Sequence, residues 1–171
     1  LLAVIVSQVI SSNLFGNSFF DRQLLDRGID LKFGRGKFSL SQARVLERAH
    51  NDFVSTPTDS TVAAVLKLLS EAGQTEAYCL SHDGNLEGKL SIIHLMGADK
   101  DQAVREIMDR RPLRLKADQN MLEAIEVASG FVGETIPVIE EPSGKMIGVV
   151  SESDLFSAYL EIQEQVQDVE K

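Results

Sequence analysis

An internal repeat is the feature that most constrains what this chain can fold into. When the sequence is shifted by 60 residues, residues 53–96 fall on residues 113–156 without a gap. The recurring residues are mainly glycine, threonine and serine, which favour turns and helix caps because of their backbone preferences. The identical pairs are Ala64/Ala124, Gly73/Gly133, Thr75/Thr135, Gly84/Gly144, Gly88/Gly148, Ser91/Ser151 and Leu95/Leu155. The repetition predicts two copies of one supersecondary unit.

Both copies predict the same order of elements. A short extended piece precedes a helix with apolar residues at helical spacing, and two strands joined by a glycine-containing turn follow. The predicted pieces are the extended residues 53–55 and 113–115, the strands 77–80 and 136–139, the strands 88–90 and 147–150, and last helices that open at Ser91 and Ser151. One copy is too small to bury both faces of its sheet, so the two should pack together. The predicted fold class is α/β (α+β), with two tandem β-α-β-β-α repeats forming one pair.

Composition and charge exclude several classes of function. The chain has 17 Lys and Arg against 26 Asp and Glu, and its net charge of −9 repels a nucleic-acid backbone. Cys79 is the only cysteine, which excludes a disulfide framework, and its place in a predicted strand indicates a small core residue. The sequence contains no recognisable nucleophile–base pair, phosphate-binding P-loop or cluster of metal ligands. We therefore expect no enzyme activity, no metal and no required cofactor.

The residues before the repeats suggest a different environment. The run from Leu1 to Ile10 is almost wholly apolar, but a membrane span needs about 20 such residues. It fits either an amphipathic helix folded onto the domain or the tail of a transmembrane helix. Residues 28–40 are basic and rich in glycine, which suits either a connector at the cytosolic face of a membrane or a plain surface loop.

Three motifs of the second copy are typical of one family. They are Met108-Asp109-Arg110-Arg111-Pro112 at its start, Ile136-Pro137-Val138-Ile139 in its middle strand and Gly148-Val149-Val150-Ser151-Glu152-Ser153-Asp154 at its end. Through these motifs, residues 48–160 resemble a pair of CBS domains, a module named for cystathionine β-synthase that occurs in tandem.

A second resemblance concerns the N-terminal segment. Residues 14–20 (LFGNSFF) and 24–29 (LLDRGI) resemble the end of the membrane domain of CLC-type chloride channels and transporters. In that family the last membrane helix leads into a cytosolic CBS pair. The family usually has a tyrosine near Phe20 whose hydroxyl contacts chloride; phenylalanine lacks that hydroxyl, so Phe20 is not assigned to a site.

Together the resemblances imply a domain plan and a function. The plan is a helical end of a membrane domain (1–27), a linker (28–47), CBS repeat 1 (48–98), CBS repeat 2 (99–160) and an acidic tail (161–171). The implied function is a homodimeric regulatory pair on the cytoplasmic side of a multi-pass chloride channel or transporter of the cell membrane. The alternative is a CBS pair that regulates an enzyme or another transporter, for example one for magnesium.

CBS pairs often bind an adenine nucleotide (ATP, ADP or AMP) between the repeats, and this implies a site. Asp154 would accept hydrogen bonds from the ribose, Ser151 would meet a phosphate at the start of a helix, and Gly148 would allow close approach. From repeat 1 the resemblance implies contacts to adenine by Val54, Gln74 and Thr75. Ser151 and Asp154 are also typical of a capping box, which would explain both residues without a ligand.

The equivalent stretch of the first copy lacks the carboxylate. His94 stands where the second copy has Asp154, and a neutral imidazole can accept only one hydrogen bond. We therefore expect one nucleotide site per chain, at Asp154, with weak or no binding at His94. His94 itself fits an ordinary surface histidine or a pH-sensitive contact.

Overall fold

In a computed structural model of the chain we describe residues 34–169, with the side chains of Arg35, Gln163 and 165–169 left aside. The predictions for residues 1–33, which include the membrane-domain helices and Phe20, lie outside the described residues.

The predicted order of elements is present twice. The elements are α1 (Gly34–Gln42), a 3-10 helix (Val45–Arg48), β1 (Val54–Thr56), α2 (Val62–Ala72), β2 (Glu76–Leu80), β3 (Leu86–Ser91), α3 (Ile92–Met96), a 3-10 helix (Val104–Glu106), β4 (Leu115–Lys116), α4 (Met121–Ala128), β5 (Thr135–Glu140), β6 (Lys145–Ser151) and α5 (Glu152–Val169). We call β1 to α3 repeat 1 and β4 to α5 repeat 2. Each repeat has a three-stranded sheet in which the first two strands are parallel and the last two antiparallel. This confirms the mixed α/β fold class.

The two repeats are not related by a single offset. In repeat 1 Cys79 pairs with Gly88, whereas in repeat 2 Val138 pairs with Gly148. The glycines are therefore 60 residues apart, but their strand partners are only 59 apart. The ungapped shift of 60 is wrong for the first half of each repeat, because the β5–β6 hairpin holds one more residue before its turn glycine.

The helix caps give the same offset of 59. Thr61 caps α2 by accepting a hydrogen bond from the Ala64 N–H, and Asn120 caps α4 by accepting one from the Glu123 N–H. Three of the identical pairs therefore do not occupy equivalent structural positions: Ala64/Ala124, Gly73/Gly133 and Thr75/Thr135.

Each repeat is preceded by a segment that packs into the core of the other repeat. Val45 lies fully buried in the core of repeat 2 beside Leu40 of α1, and Val104 lies fully buried in the core of repeat 1. We call residues 45–50 and 104–109 the leading segments. The prediction of a connector is wrong for residues 34–40, because α1 packs on α4 and α5 and buries Leu40.

The leading segments also extend the sheets across the pair. His50 forms an antiparallel bridge with Val149 of β6, and Asp109 forms one with Lys89 of β3. A Cβ atom on Gly88 would lie 2.9 Å from the Asp109 carbonyl oxygen, so this position has no room for a side chain. Since each sheet takes its outer pairing from the other repeat's leading segment, the two repeats interlock.

A buried ion pair of repeat 1 is hydrogen-bonded to Thr135 of repeat 2. Lys89 Nζ lies 2.8 Å from Glu76 Oε2, and each side chain is only 11% exposed. Glu76 also accepts hydrogen bonds from the Thr135 N–H and hydroxyl, while Lys89 donates to the Thr135 carbonyl. The Tyr78 hydroxyl bonds to Thr135 as well, at 3.0 Å from its carbonyl. These contacts satisfy the buried charges of repeat 1 with groups of repeat 2.

Candidate functional site

The end of β6 and the start of α5 form a capping box. The Ser151 N–H donates to Asp154 Oδ2 at 2.7 Å, and the Asp154 N–H donates to Ser151 Oγ at 3.1 Å. The Ser151 hydroxyl adds a third hydrogen bond to Oδ2 at 2.6 Å. The capping prediction is therefore confirmed, because the box provides acceptors for N–H groups that have no helical partner at the start of α5.

Capping leaves half of the Asp154 carboxylate available. Both Ser151 donors and His50 Nε2, at 3.3 Å, contact Oδ2, and among the described residues Oδ1 has no hydrogen-bond partner. The side chain is 32% exposed. Burial acts to raise the Asp154 pKa, but the hydrogen bonds from Ser151 and the neighbouring His50 outweigh it and leave the pKa below its ordinary value. An ionised carboxylate with one free oxygen can both cap the helix and accept a ligand hydroxyl.

A chain of hydrogen bonds connects Asp154 to the predicted residues of repeat 1. His50 Nδ1 accepts from the Asp52 N–H at 3.4 Å, and Asp52 Oδ1 accepts from Gln74 Nε2 at 2.9 Å. Gln74 Oε1 in turn accepts from the Val54 N–H at 3.1 Å. The structure thus links Val54 and Gln74 to Asp154 through polar contacts.

His50 and Asp52 were missed by the sequence analysis, although they complete this chain. They precede β1 in a segment that turns, because the Phe53 N–H donates to the Asn51 carbonyl and the Asp52 N–H donates to His50 Nδ1. Their long-range partner on β6 leaves no local trace in the sequence.

Gly148 has a packing role in the structure. A Cβ atom there would lie 2.9 Å from the His50 carbonyl oxygen, which faces the glycine because His50 and Val149 exchange two backbone hydrogen bonds of 2.9 Å. The absence of a side chain is therefore required by the protein's own backbone. Contact of Gly148 with a ligand stays a prediction.

Thr75 follows Gln74 directly and lies immediately before β2. Its carbonyl accepts a hydrogen bond of 2.7 Å from the Ile92 N–H at the start of α3. The contact to adenine predicted for Thr75 stays a prediction, as does ligand contact for Val54, Gln74, Ser151 and Asp154.

The other half of the pair has the same frame with different polar residues. The Lys89–Asp109 bridge corresponds to the Val149–His50 bridge, so Asp109 occupies the place of His50. Ser91 caps α3 by accepting from the His94 N–H, so His94 occupies the place of Asp154. The carboxylate and the imidazole have exchanged sides, and no ion pair joins His94 to Asp109 among the described residues.

Ser151 and His50 both contact Asp154, but the three side chains lack the arrangement of a catalytic triad. The Asp154 carboxylate lies between the hydroxyl and the imidazole, whereas an activated serine needs a base at its own hydroxyl. Cys79 is fully buried, and burial raises its pKa to about 11, which keeps the thiol protonated. The core role predicted for Cys79 is confirmed.

Within residues 34–169, no group of three or more His, Cys, Asp or Glu side chains is placed to hold a metal ion. The helices of the same range include none with the length and apolar character that crossing a membrane requires.

Comparison with known proteins identifies the fold. Residues 104–161 match the family model of the CBS domain. The chain is also similar to a CBS domain pair/ACT domain protein from Thermotoga maritima, with a TM-score of 0.63, 20% identity and coverage of 69% of this chain and 97% of that one. The fold is that of a CBS domain pair. This confirms the resemblance drawn from the second copy.

Two similar CBS structures hold adenine nucleotides. The cytosolic domain of the Mg²⁺ channel MgtE in complex with ATP has a TM-score of 0.63 and 23% identity, over 70% of this chain and 50% of that one. CBSX2 in complex with AMP has a TM-score of 0.60 and 20% identity, over 71% of this chain and 98% of that one. At these identities the likeness establishes the CBS fold, and the nucleotides belong to those proteins.

Curated relatives match only in part. An uncharacterized protein of Methanocaldococcus jannaschii is 27% identical over 122 residues, which are 69% of this chain and 44% of that protein. The magnesium transporter MgtE of Thermus thermophilus is 27% identical over 109 residues, which are 61% of this chain and 24% of that protein. The chain spans less than half the length of these relatives. These relatives give no support to the predicted link with chloride channels. The alternative prediction, a CBS pair that regulates another transporter such as one for magnesium, fits the similarity to MgtE about as well.

Proposed function

We propose that this chain is a regulatory CBS pair that binds an adenine nucleotide between its repeats, with Asp154 as the ribose acceptor. The observation that carries the proposal is the Asp154 carboxylate, which is fixed at Oδ2 by the capping box and keeps Oδ1 free. The similar fold of CBS structures with ATP or AMP supports the same ligand class.

The surrounding groups suit the parts of a nucleotide. A ribose hydroxyl donates to Asp154 Oδ1 in a charge-assisted hydrogen bond. The first turn of α5 offers N–H groups and a positive dipole end to a phosphate, and Ser151 holds the carboxylate in place beside it. Val54, Gln74 and Thr75 supply the wall against which adenine lies.

The regulated partner is proposed to be a membrane transport protein, with this pair on its cytoplasmic side. Two kinds of transport protein could contain this pair. The sequence of residues 14–29 favours a CLC-type chloride channel or transporter, and the similarity to MgtE favours a magnesium transporter. Chloride flux and magnesium flux, measured on the whole parent protein with and without its CBS pair, distinguish them.

A homodimer is part of the same proposal. Ile93 and Met96 on α3 are 78% and 75% exposed, and Leu68 on α2 is 42% exposed. Apolar side chains grouped on a helical face favour association with a second copy. Sedimentation of the Ile93→Ser/Met96→Ser variant against wild type tests the dimer, which should weaken in the variant.

Calorimetry with AMP, ADP and ATP on the whole chain tests the nucleotide site. Wild type should bind one adenine nucleotide per chain. Asp154→Asn should bind about 10- to 100-fold more weakly, because it loses a charge-assisted acceptor.

The matched control is His94→Asn, which changes the equivalent position of the other half and should leave the affinity unchanged. Equal affinity in Asp154→Asn and wild type would reduce Asp154 to a helix cap. No binding to wild type would leave the pair without a nucleotide role.

A further inference from the structure

His50 lies in the middle of the series of polar contacts that links Asp154 of repeat 2 to Val54 of repeat 1. Its Nε2 contacts Asp154 of repeat 2 at 3.3 Å, and its Nδ1 accepts from the Asp52 N–H at 3.4 Å. Its backbone is fixed to Val149 by two hydrogen bonds of 2.9 Å. The backbone bridge fixes the main chain from which the imidazole reaches the carboxylate.

The contacts of the imidazole define what protonation changes. Since Nδ1 accepts a hydrogen bond, the neutral ring carries its proton on Nε2, which lies 3.3 Å from Asp154 Oδ2. A second proton would be added at Nδ1, which would then no longer accept from the Asp52 N–H. Within the chain from Asp154 to Val54, histidine is the residue type that changes charge near neutral pH. Protonation of His50 therefore adds one positive charge to the middle of the cleft.

The charged groups around His50 leave the cleft negative when the ring is neutral. From α5, Asp154 and Glu161 face this region; from the leading segment and the loop after it come Arg48 and Asp52. Arg48 and Glu161 form a two-point ion pair and neutralise each other. From β6 only uncharged backbone meets His50. The uncompensated charges are those of Asp52 and Asp154.

We infer that His50 selects for phosphorylated ligands when it is protonated, so that the cleft favours nucleotides over nucleosides as the pH falls. The inference rests on the proposed nucleotide site. A phosphate carried by a ribose that is held at Asp154 lies within one nucleotide's length of the imidazole. At that range, a positive charge next to two carboxylates changes the binding of an anion by about three- to tenfold. A nucleoside has no phosphate, so its binding should not respond to the positive charge on His50.

The test compares AMP with adenosine by calorimetry on the whole chain, at about pH 6 and pH 8. The variants are His50→Gln, which keeps a neutral hydrogen-bonding side chain at Asp154, and His94→Gln as the matched control. Relative to His50→Gln, wild type should gain about three- to tenfold in AMP affinity on going from pH 8 to pH 6. Comparing the two proteins removes the titration of the AMP phosphate itself. The His94→Gln variant should respond like wild type.

A second readout uses the reciprocity of linked binding. If protonated His50 favours AMP, then AMP binding near neutral pH must take up protons at His50. Calorimetry in buffers of different ionisation enthalpy should show more proton uptake for wild type than for His50→Gln, and adenosine should show no difference.

The outcomes separate the two proposals. AMP binding with the same pH response in wild type and His50→Gln overturns the role of His50 and leaves the nucleotide site standing. If the affinity for adenosine changes with pH as strongly as the affinity for AMP, the role of His50 is also overturned, because the selection would not depend on phosphate. No binding of AMP or adenosine at either pH overturns the nucleotide site and the inference together.

Discussion

The two halves of the pair share a frame and differ in their polar residues. Both use a serine cap after the last strand and a glycine that admits the other repeat's leading segment. In the half around Asp154, the carboxylate starts the helix and the imidazole comes from the leading segment. In the half around His94 the two are reversed, and they do not meet. Glycines and caps therefore fix the same backbone in both halves, whereas the polar side chains at equivalent positions differ.

The halves differ again at the centre of the molecule. Lys89 of β3 corresponds to Val149 of β6 in the bridges to the leading segments. Lys89 brings a charge to the centre of the pair, where Glu76 and Thr135 satisfy it, and Val149 lies fully buried in an apolar cluster. The His94 half thus contains a buried structural ion pair. In the Asp154 half, the charged group is the partly exposed Asp154 carboxylate.

The largest effect should come from removing Lys89. The variant Lys89→Met leaves Glu76 charged and poorly compensated between the repeats, so we expect a loss of about 3–5 kcal/mol in the free energy of unfolding. Urea denaturation measures it. The matched control is Lys67→Met, which breaks the exposed Lys67–Glu71 pair and should cost less than about 0.5 kcal/mol. Similar losses in both variants would mean that the central pair contributes no more than a surface one.

The next largest loss of stability should come from alanine substitution of Gly88 or Gly148, the two glycines that closely approach a leading segment. A Cβ on Gly148 or Gly88 would lie 2.9 Å from a carbonyl oxygen of the opposing leading segment. We expect each variant to lose about 1–3 kcal/mol of stability, because the backbone must shift. Gly130→Ala is the control, since a Cβ there meets nothing within 4 Å. Thermal denaturation that ranks Gly130→Ala with the other two would contradict the interlock.

The smallest effect concerns the pH dependence of the Asp154 cap. Because its pKa is lower in the folded chain than its ordinary value of 3.8, its contribution to stability is present above that value and is lost as the pH falls through the lower folded pKa. Asp154→Asn should be about 1 kcal/mol less stable than wild type at pH 7. The difference should vanish in strong acid, where both side chains are neutral.

Acid titration of stability, followed by circular dichroism, checks this prediction. The corresponding change in the other half, His94→Asn, should produce no loss that disappears in acid, because that half has no carboxylate in its cap. A difference between Asp154→Asn and wild type that persists below the folded pKa would show that shape, and not charge, is what Asp154 contributes.

The sequence predicted the parts of the fold that depend on local chemistry. Ser91 and Ser151 mark helix starts and Gly84 and Gly144 mark hairpin turns, because these geometries favour particular residues. The offset was misjudged since coincidental identities such as Ala64/Ala124 masked one extra hairpin residue.

What could not be predicted depends on contacts between distant segments. Residues 34–40 have the composition of a connector, and only the groove between α4 and α5 makes Leu40 a core residue. The same holds for the candidate site. Asp154 and Gln74 follow from the family's motif, but His50 joins them only because the chain before β1 crosses to β6. A local pattern carries no information about that crossing.

The interlock has a mechanical consequence for anything attached at the N-terminal side. Repeat 1 follows α1 in the sequence, yet α1 and the leading segment at 45–50 are anchored on repeat 2. A pull applied through residues before Gly34 would therefore reach α4 and α5 of repeat 2 before it reaches β1. The helix that would receive this force, α5, is the one whose first turn belongs to the proposed ligand site.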